Sequence, residues 1–153
     1  MKKRILIGIC AVLLLTSCAH EYNQVYKTTN NDYKYEFAKE CFAKGKYGFA
    51  VPLLQDLVTI EKGTDNAQEC LYMLAMAEYC LKDYQAASET FKKYYQTYPR
   101  GQYAEMASFY IGQSLFEGTP EPRLDQTPTV AAIAAFQEYL DIYPNGKMKG
   151  TAQ

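Results

Sequence analysis

The chain has 153 residues, 48% of them hydrophobic, with 16 basic and 17 acidic side chains for a net charge of −1. That is enough apolar material for one domain with its own core, and the balanced charge, with no basic stripe, argues against nucleic acid as a partner. A single histidine and no Cys-x-x-Cys spacing argue against metal or redox chemistry, while fifteen tyrosines beside no tryptophan call for an explanation in packing.

Lys2, Lys3 and Arg4 precede an apolar stretch of about 11 residues, Ile5 to Leu15. It is too short for a bilayer core, which takes roughly 20 apolar residues. Residues 1–17 therefore read as a signal peptide with a charged n-region and an apolar h-region. Leu15-Thr16-Ser17-Cys18 resembles the lipobox of bacterial lipoproteins, in which the cysteine thiol is diacylated and becomes the first residue after cleavage. Cys18 is the expected lipidation site, an ordinary signal peptide with a chance cysteine being the plainer alternative. Two or three acyl chains, at ~0.8 kcal/mol per buried methylene, anchor a protein stably. Ala19, in place of Asp after the cysteine, resembles lipoproteins forwarded to the outer membrane, so the expected position is that membrane's periplasmic face. Residues 18–31 are polar and read as an extended tether.

Residues 32–153 carry helical patterning and no run of period two, so no sheet is expected. A first helix runs from about Tyr33 to Lys44, broken at Gly45. A second runs from about Tyr47 to Glu61, with Pro52 near its first turns expected to kink it. Asp65 with Gln68 reads as a capping box for a third, ending near Leu81. Asp83 caps a fourth, which stops before Pro99. A fifth spans about Gln102 to Glu117. Gly118 to Gln126 combines glycine, two prolines and mixed charge, and reads as a loop. Thr127 and Pro128 form an N-cap and N1 pair opening a sixth helix. After Pro144, Asn145-Gly146 is a turn, and Lys147 to Gln153 opens a further helix. Helix arrays need a polar terminal face, yet the sixth helix would leave Ile133, Phe136 and Leu140 partly bare. The chain thus reads as a C-terminally truncated piece of a longer protein, or as one whose end a partner covers.

A shift of 37 residues superimposes these helices. Tyr35 falls on Tyr72 and Phe109, Phe42 on Tyr79 and Phe116, and Ala38 on Ala75 and Gly112. Tyr47 and Ala50 fall on Tyr84 and Ala87. The third copy of the second helix comes eight residues late, displaced by the Gly118–Gln126 loop. Ala87, Phe91, Pro99 and Ala132, Phe136, Pro144 repeat one spacing, and Leu74-Ala75 and Ile111-Gly112 repeat another; both match the tetratricopeptide pattern. Small residues let the paired helices approach, an aromatic fills the gap toward the next pair, and proline ends the helix. The expected fold is all-α: tetratricopeptide-like antiparallel helix pairs stacked in a right-handed α-solenoid. About three repeats (32–63, 64–99, 100–145) and the start of a fourth are expected. Cys41, Cys70 and Cys80 read as small core residues, a Cys41–Cys80 bridge being the alternative. Cys70 and Cys80, about 15 Å apart along one helix, are too distant to bridge.

Such a solenoid binds along the concave face of its first helices. In tetratricopeptide geometry the groove positions are Tyr35, Lys39 and Phe42; Tyr72, Met76 and Tyr79; and Phe109, Gln113 and Phe116, six of the nine aromatic. The Phe42/Tyr79/Phe116 row serves equally well as core, whereas the Tyr35/Tyr72/Phe109 row is expected to be the more open, because tyrosine tolerates a wet edge. Lys39 is the only basic member, so the groove suits an extended or hairpin peptide with apolar side chains. His20 lies beside the lipid, the acidic residues are scattered, and no phosphate loop or nucleophile motif occurs, so no enzyme activity, metal or cofactor is expected.

The stretch from Cys18 onward resembles the BamD family, tetratricopeptide-repeat lipoproteins of outer-membrane β-barrel assembly, in its Bacteroidetes form. The resemblance rests on Asp32-Tyr33-Lys34-Tyr35, on Tyr47, Ala50 and Pro52-Leu53, and on Tyr95 to Pro99. Most specific is Leu124-Asp125-Gln126-Thr127 leading into Ala132, Ala135-Phe136-Gln137, Tyr139-Leu140 and Tyr143-Pro144. The resemblance implies two roles: N-terminal repeats that recognise C-terminal segments of unfolded outer-membrane proteins, and C-terminal repeats that dock to a BamA-like barrel subunit. Family members have five repeats, so the first role fits this chain better than the second. Alternatives of another class are a glycan-binding envelope lipoprotein, which would need carboxylates or amides beside its aromatics where only Gln113 qualifies, and a scaffold without a client.

Overall fold

The computed structural model describes residues 21–64, 66–120 and 125–153. The signal segment, Cys18, Asp65 of the expected capping box and residues 121–124 of the expected loop lie outside the described residues. Among those described, the regular structure is helical throughout: α1 at 21–27, α2 Asn31–Ala43, α3 Tyr47–Ile60, α4 Asn66–Cys80, α5 Tyr84–Thr97, α6 Ala104–Glu117, α7 Thr127–Ile142 and a last turn, α8, Lys149–Ala152. From α2 to α7 each helix packs chiefly on its sequence neighbours. This is a tetratricopeptide-like solenoid of the pairs α2–α3, α4–α5 and α6–α7, with α8 in the register where a fourth pair begins.

The ends of these helices follow from local chemistry. The Asn30 side chain accepts from the Tyr33 amide at 3.0 Å and so caps α2, starting it two residues before the expected position. Asp83 accepts from the Ala86 amide at 3.3 Å, as anticipated for α5. The helix α3 runs without interruption through Pro52. The helix α7 starts at Thr127 itself, so Thr127 is not its N-cap; its amide and hydroxyl both donate to Asp125 Oδ1, at 2.9 and 2.7 Å. Those two bonds hold the Asp125 carboxyl below its ordinary range.

The segment read as an extended tether is structured from residue 21 onward. Tyr22, Val25 and Tyr26 stand three and four apart, so one turn of helix gathers them on one side. Val25 is fully buried in the first core with Leu53, Leu54 and Leu57 of α3, and the Tyr22 ring lies 4.9 Å from that of Phe49. That stripe was missed because two turns of helix flanked by polar residues carry little periodic signal.

Two apolar cores follow one another along the stack. The first joins Tyr35, Ala38 and Cys41 of α2 to the α3 leucines and to Cys70, Met73 and Leu74 of α4. The second joins Leu71 and Ala75 of α4 to Ala87, Phe91 and Tyr94 of α5 and Ala107 of α6. Fully burying a side chain such as Leu53 or Phe91 contributes about 1.5–3 kcal/mol. The small residue on the first helix of each pair is required by contact: a Cβ on Gly112 would stand 2.7 Å from Phe136 Cδ1. The cysteine reading needs one correction. Cys41 and Cys70 are buried free thiols, but Cys80, at the last position of α4, is exposed and also free, so no Cys41–Cys80 bridge forms. Burial pushes the Cys70 thiol up to about 12.

Successive pairs are joined by a hydrogen-bonded turn that occurs twice. Gln68, the described member of the expected capping box, accepts at Oε1 from the Tyr94 hydroxyl (2.7 Å) and the Gln102 amide (2.8 Å), while Tyr94 Oη accepts from the Tyr103 amide (3.1 Å). One repeat later Glu105 Oε1 accepts from the Tyr139 hydroxyl (3.2 Å) and the Lys147 amide (2.5 Å), and Tyr139 Oη accepts from the Met148 amide (3.0 Å). Gly101 and Gly146 occupy the matching place in each turn. A Cβ on Gly101 would strike Gln68 Oε1 and stand 2.7 Å from Tyr94 Oη; one on Gly146 would strike Tyr139 Oη and stand 3.0 Å from Glu105 Oε1. Two of the fifteen tyrosines, Tyr94 and Tyr139, are thereby explained as ring on the core side and hydroxyl on the turn.

Candidate peptide groove on the first helices of the repeats

The nine groove positions lie on α2, α4 and α6, and their burial reverses the expected order of rows. Tyr35 is 6% exposed and Phe109 2%, so the row expected to be open is largely core. Tyr35 reaches across to α4, where its hydroxyl donates to Glu69 at 2.5 Å. Burial, followed by that bond, moves its phenol well above the ordinary range. Tyr72 is half-buried, stacked on Tyr103 (4.3 Å, 8°) with Phe91 and Tyr94 edge-on, and burial among these rings pushes it up to about 12. Phe109 contacts the rings of Phe136 and Tyr139, both at 5.7 Å. The physical reason is the space between helices: Tyr35 bridges neighbouring first helices, whereas Phe109 fills the space toward the second helix of its own pair.

The row that could equally have been core is the more open one. Phe42 and Tyr79 are half-buried, and Phe116 is 55% exposed. Phe42 packs edge-on against Tyr47, and Tyr79 against Tyr84, each at 5.5 Å, so the first residue of each second helix props the ring. At the third repeat the matching residue is Thr129, which has no ring to offer, and Phe116 stands clear. Tyr79 also meets Tyr110 at 5.1 Å. Between the two rows run Lys39, Met76 and Gln113, all half-buried. The Lys39 ammonium lies 4.8 Å from the centre of the Tyr35 ring and 3.4 Å from Glu36, and Gln113 donates to Glu117 at 3.0 Å. The accessible strip is therefore Lys39–Phe42, Met76–Tyr79 and Gln113–Phe116, backed by Tyr72.

Chemically the strip offers aromatic faces, a thioether, one cation and one amide. Burial raises the phenols of Tyr72 and Tyr79, so both stay neutral over the physiological range. Among the described residues no three His, Cys, Asp or Glu side chains gather as a metal site would need, and no helix is long and apolar enough to cross a membrane. One buried carboxylate stands out behind the strip. Glu78 is 6% exposed, its Oε2 has no hydrogen-bond partner, and burial raises its carboxyl, with Asp83 and Glu89 adding to the effect and a bond to Thr90 opposing it.

The fold defines a helical-repeat protein of the tetratricopeptide class. A family model for an outer membrane lipoprotein, YfiO, matches residues 27–153, and the chain belongs to that family. This is the BamD type that the motifs resemble, a family of non-enzymatic lipoproteins of the outer membrane. No curated protein sequence matches the chain significantly.

Proposed function

We propose that the chain is a lipid-anchored component of the outer-membrane β-barrel assembly machinery, held at the periplasmic face of that membrane through Cys18. In this reading the strip of Lys39, Phe42, Met76, Tyr79, Gln113 and Phe116 takes up unfolded outer-membrane protein segments, and the far end of the stack docks to a BamA-like barrel subunit. Tyr35, Tyr72 and Phe109 hold the strip in shape from behind. Membership of the outer membrane lipoprotein family is the observation that carries the reading. A groove with aromatic faces and scant charge supports it, because segments that become membrane strands present alternating apolar side chains.

The test is crosslinking in cells, detergent extraction of the native lipoprotein and identification of what is recovered by mass. Recovery of the barrel subunit together with nascent barrel proteins is expected. The double substitution Tyr79→Ala and Phe116→Ala is expected to lower client recovery by roughly tenfold or more, the loss of a small aromatic hot spot, while leaving subunit recovery intact. Recovery of polysaccharide-uptake proteins alone would instead give the groove a sugar.

A further inference from the structure

The 37-residue register shows which face of each first helix its predecessor covers. On α4 that face is Cys70, Met73, Leu74 and Ala77, all buried, the first three in one core with the α3 leucines. On α6 the matching Ala107 and Ser114 are buried and Ile111 is half-buried. On α2 the same positions are Tyr33, Glu36, Phe37 and Glu40. Tyr33 is 48% exposed, Glu36 and Glu40 are exposed and Phe37 is half-buried. The helix α1 covers part of this end through Val25 and Tyr22. Beside it remains an open hollow of about 450 Å³ bordered by Tyr33, Phe37 and Ala43 and by the charged Glu21, Glu36, Lys39 and Glu40.

We infer that this N-terminal end face of the stack rests on the phospholipid headgroup surface of the membrane. The inference rests on the reading of Cys18 as lipidated. From Cys18 to Glu21 is three residue steps, at most about 11 Å when fully extended. Because α1 is itself docked in the first core, that short reach sets the distance of the whole first repeat from the bilayer; a flexible tether would not. The residues brought there suit an interface. Tyr26 is 50% exposed and Tyr33 48%, and tyrosine favours the headgroup level, where its ring and hydroxyl are both accommodated. Of the three carboxylates lining the hollow, Glu36 pairs with Lys39 at 3.4 Å and Glu40 with Lys44, which reduces the negative field the face presents to the lipid.

The natural chain has no tryptophan, so a single one reports its own surroundings. The full lipidated protein carrying Tyr33→Trp is reconstituted in phosphatidylethanolamine–phosphatidylglycerol vesicles with and without brominated phospholipid. Ile133→Trp serves as the distant reference, and Tyr26→Trp as a second reporter should the first fold poorly. Several-fold quenching at position 33 with little at 133 is expected. Inserting about ten Gly/Ser residues between His20 and Glu21, which adds roughly 17 Å of reach, should largely abolish it. Absent quenching at 33, equal quenching at 33 and 133, or a blue shift without quenching overturns the inference. If the protein floats with the vesicles and Cys18 carries lipid by mass, such a result leaves the lipoprotein reading intact. Failure to float, with Cys18 unmodified, overturns both.

Discussion

The helices α5 and α7 carry the same signature, A-x3-F followed by proline, and meet different fates. In α5 Phe91 is fully buried, stacked on Tyr110 of the following first helix (5.3 Å) and edge-on to Tyr72 of the preceding one (5.9 Å). In α7 Phe136 has Phe109 as its ring neighbour (5.7 Å) and stays half-buried, while Ile133, in the register of the buried Ser88, is 65% exposed. The turn α8 supplies the counterparts of Ala104 to Ala107 but not of Tyr110. One shared signature therefore yields unequal burial, because in a one-dimensional stack each repeat's energy lies in the interface with its neighbour.

The largest test of that contrast is truncation of the two aromatics. Phe91→Ala is expected to cost about 3–5 kcal/mol, and Phe136→Ala, with much of its ring already in water, about 1–2 kcal/mol, measured by urea denaturation followed by circular dichroism. Equal costs would break the comparison. A rise in the Phe136 cost when a docking partner is added would sharpen it, by showing the second side of the ring becoming covered.

The tyrosine turns come next in size. Tyr94→Phe removes one bond to Gln68 and leaves the Tyr103 amide without its acceptor, and should cost about 1–2 kcal/mol. Tyr139→Phe does the same to Glu105 and Met148 at a more accessible end of the stack. There the loss should be about 1 kcal/mol or less. Native-state hydrogen exchange should register it as faster opening confined to the last turn, not as global unfolding.

Glu78→Gln should have the smallest effect and the opposite sign. The folded protein raises this carboxyl, so it favours the protonated form. The stability tied to that form is present below the ordinary carboxylate range and is lost as pH rises through the raised value. The glutamine variant should therefore be more stable than the parent at neutral pH, by at most about 1 kcal/mol. The gap should close as the pH of thermal melts is lowered toward 4.

Most of the helices could be read in the sequence because two signals agreed: punctuation by Gly45, Asp83, Pro99 and Pro144, and a repeat that placed each aromatic three times. The N-terminal turn could not, since its three apolar residues are too few to show a period. The identity of the groove residues was legible from repeat geometry, but their exposure was not. Whether Tyr35 or Phe42 faces solvent depends on what stands opposite, Glu69 in one case and Tyr47 in the other. Those partners lie in different registers, which a single-helix pattern does not contain. The exposure of Phe116 had a readable cause in hindsight, since the repeat register places Thr129 where Tyr47 and Tyr84 stand.

The paired turns at Gly101 and Gly146 divide the solenoid into two unlike edges. One edge, where a repeat hands over to the next, is stitched by side chain to backbone with no space for even a methyl group. The other, where α6 ends at Gly118 against Tyr84, absorbs an eight-residue lengthening before α7 while the stitched edge keeps its geometry. The molecule thus has a selvedge and a fringe. Epitope tags, fluorescent reporters or whole inserted domains belong on the fringe, between α6 and α7, where natural lengthening has already shown that the weave holds.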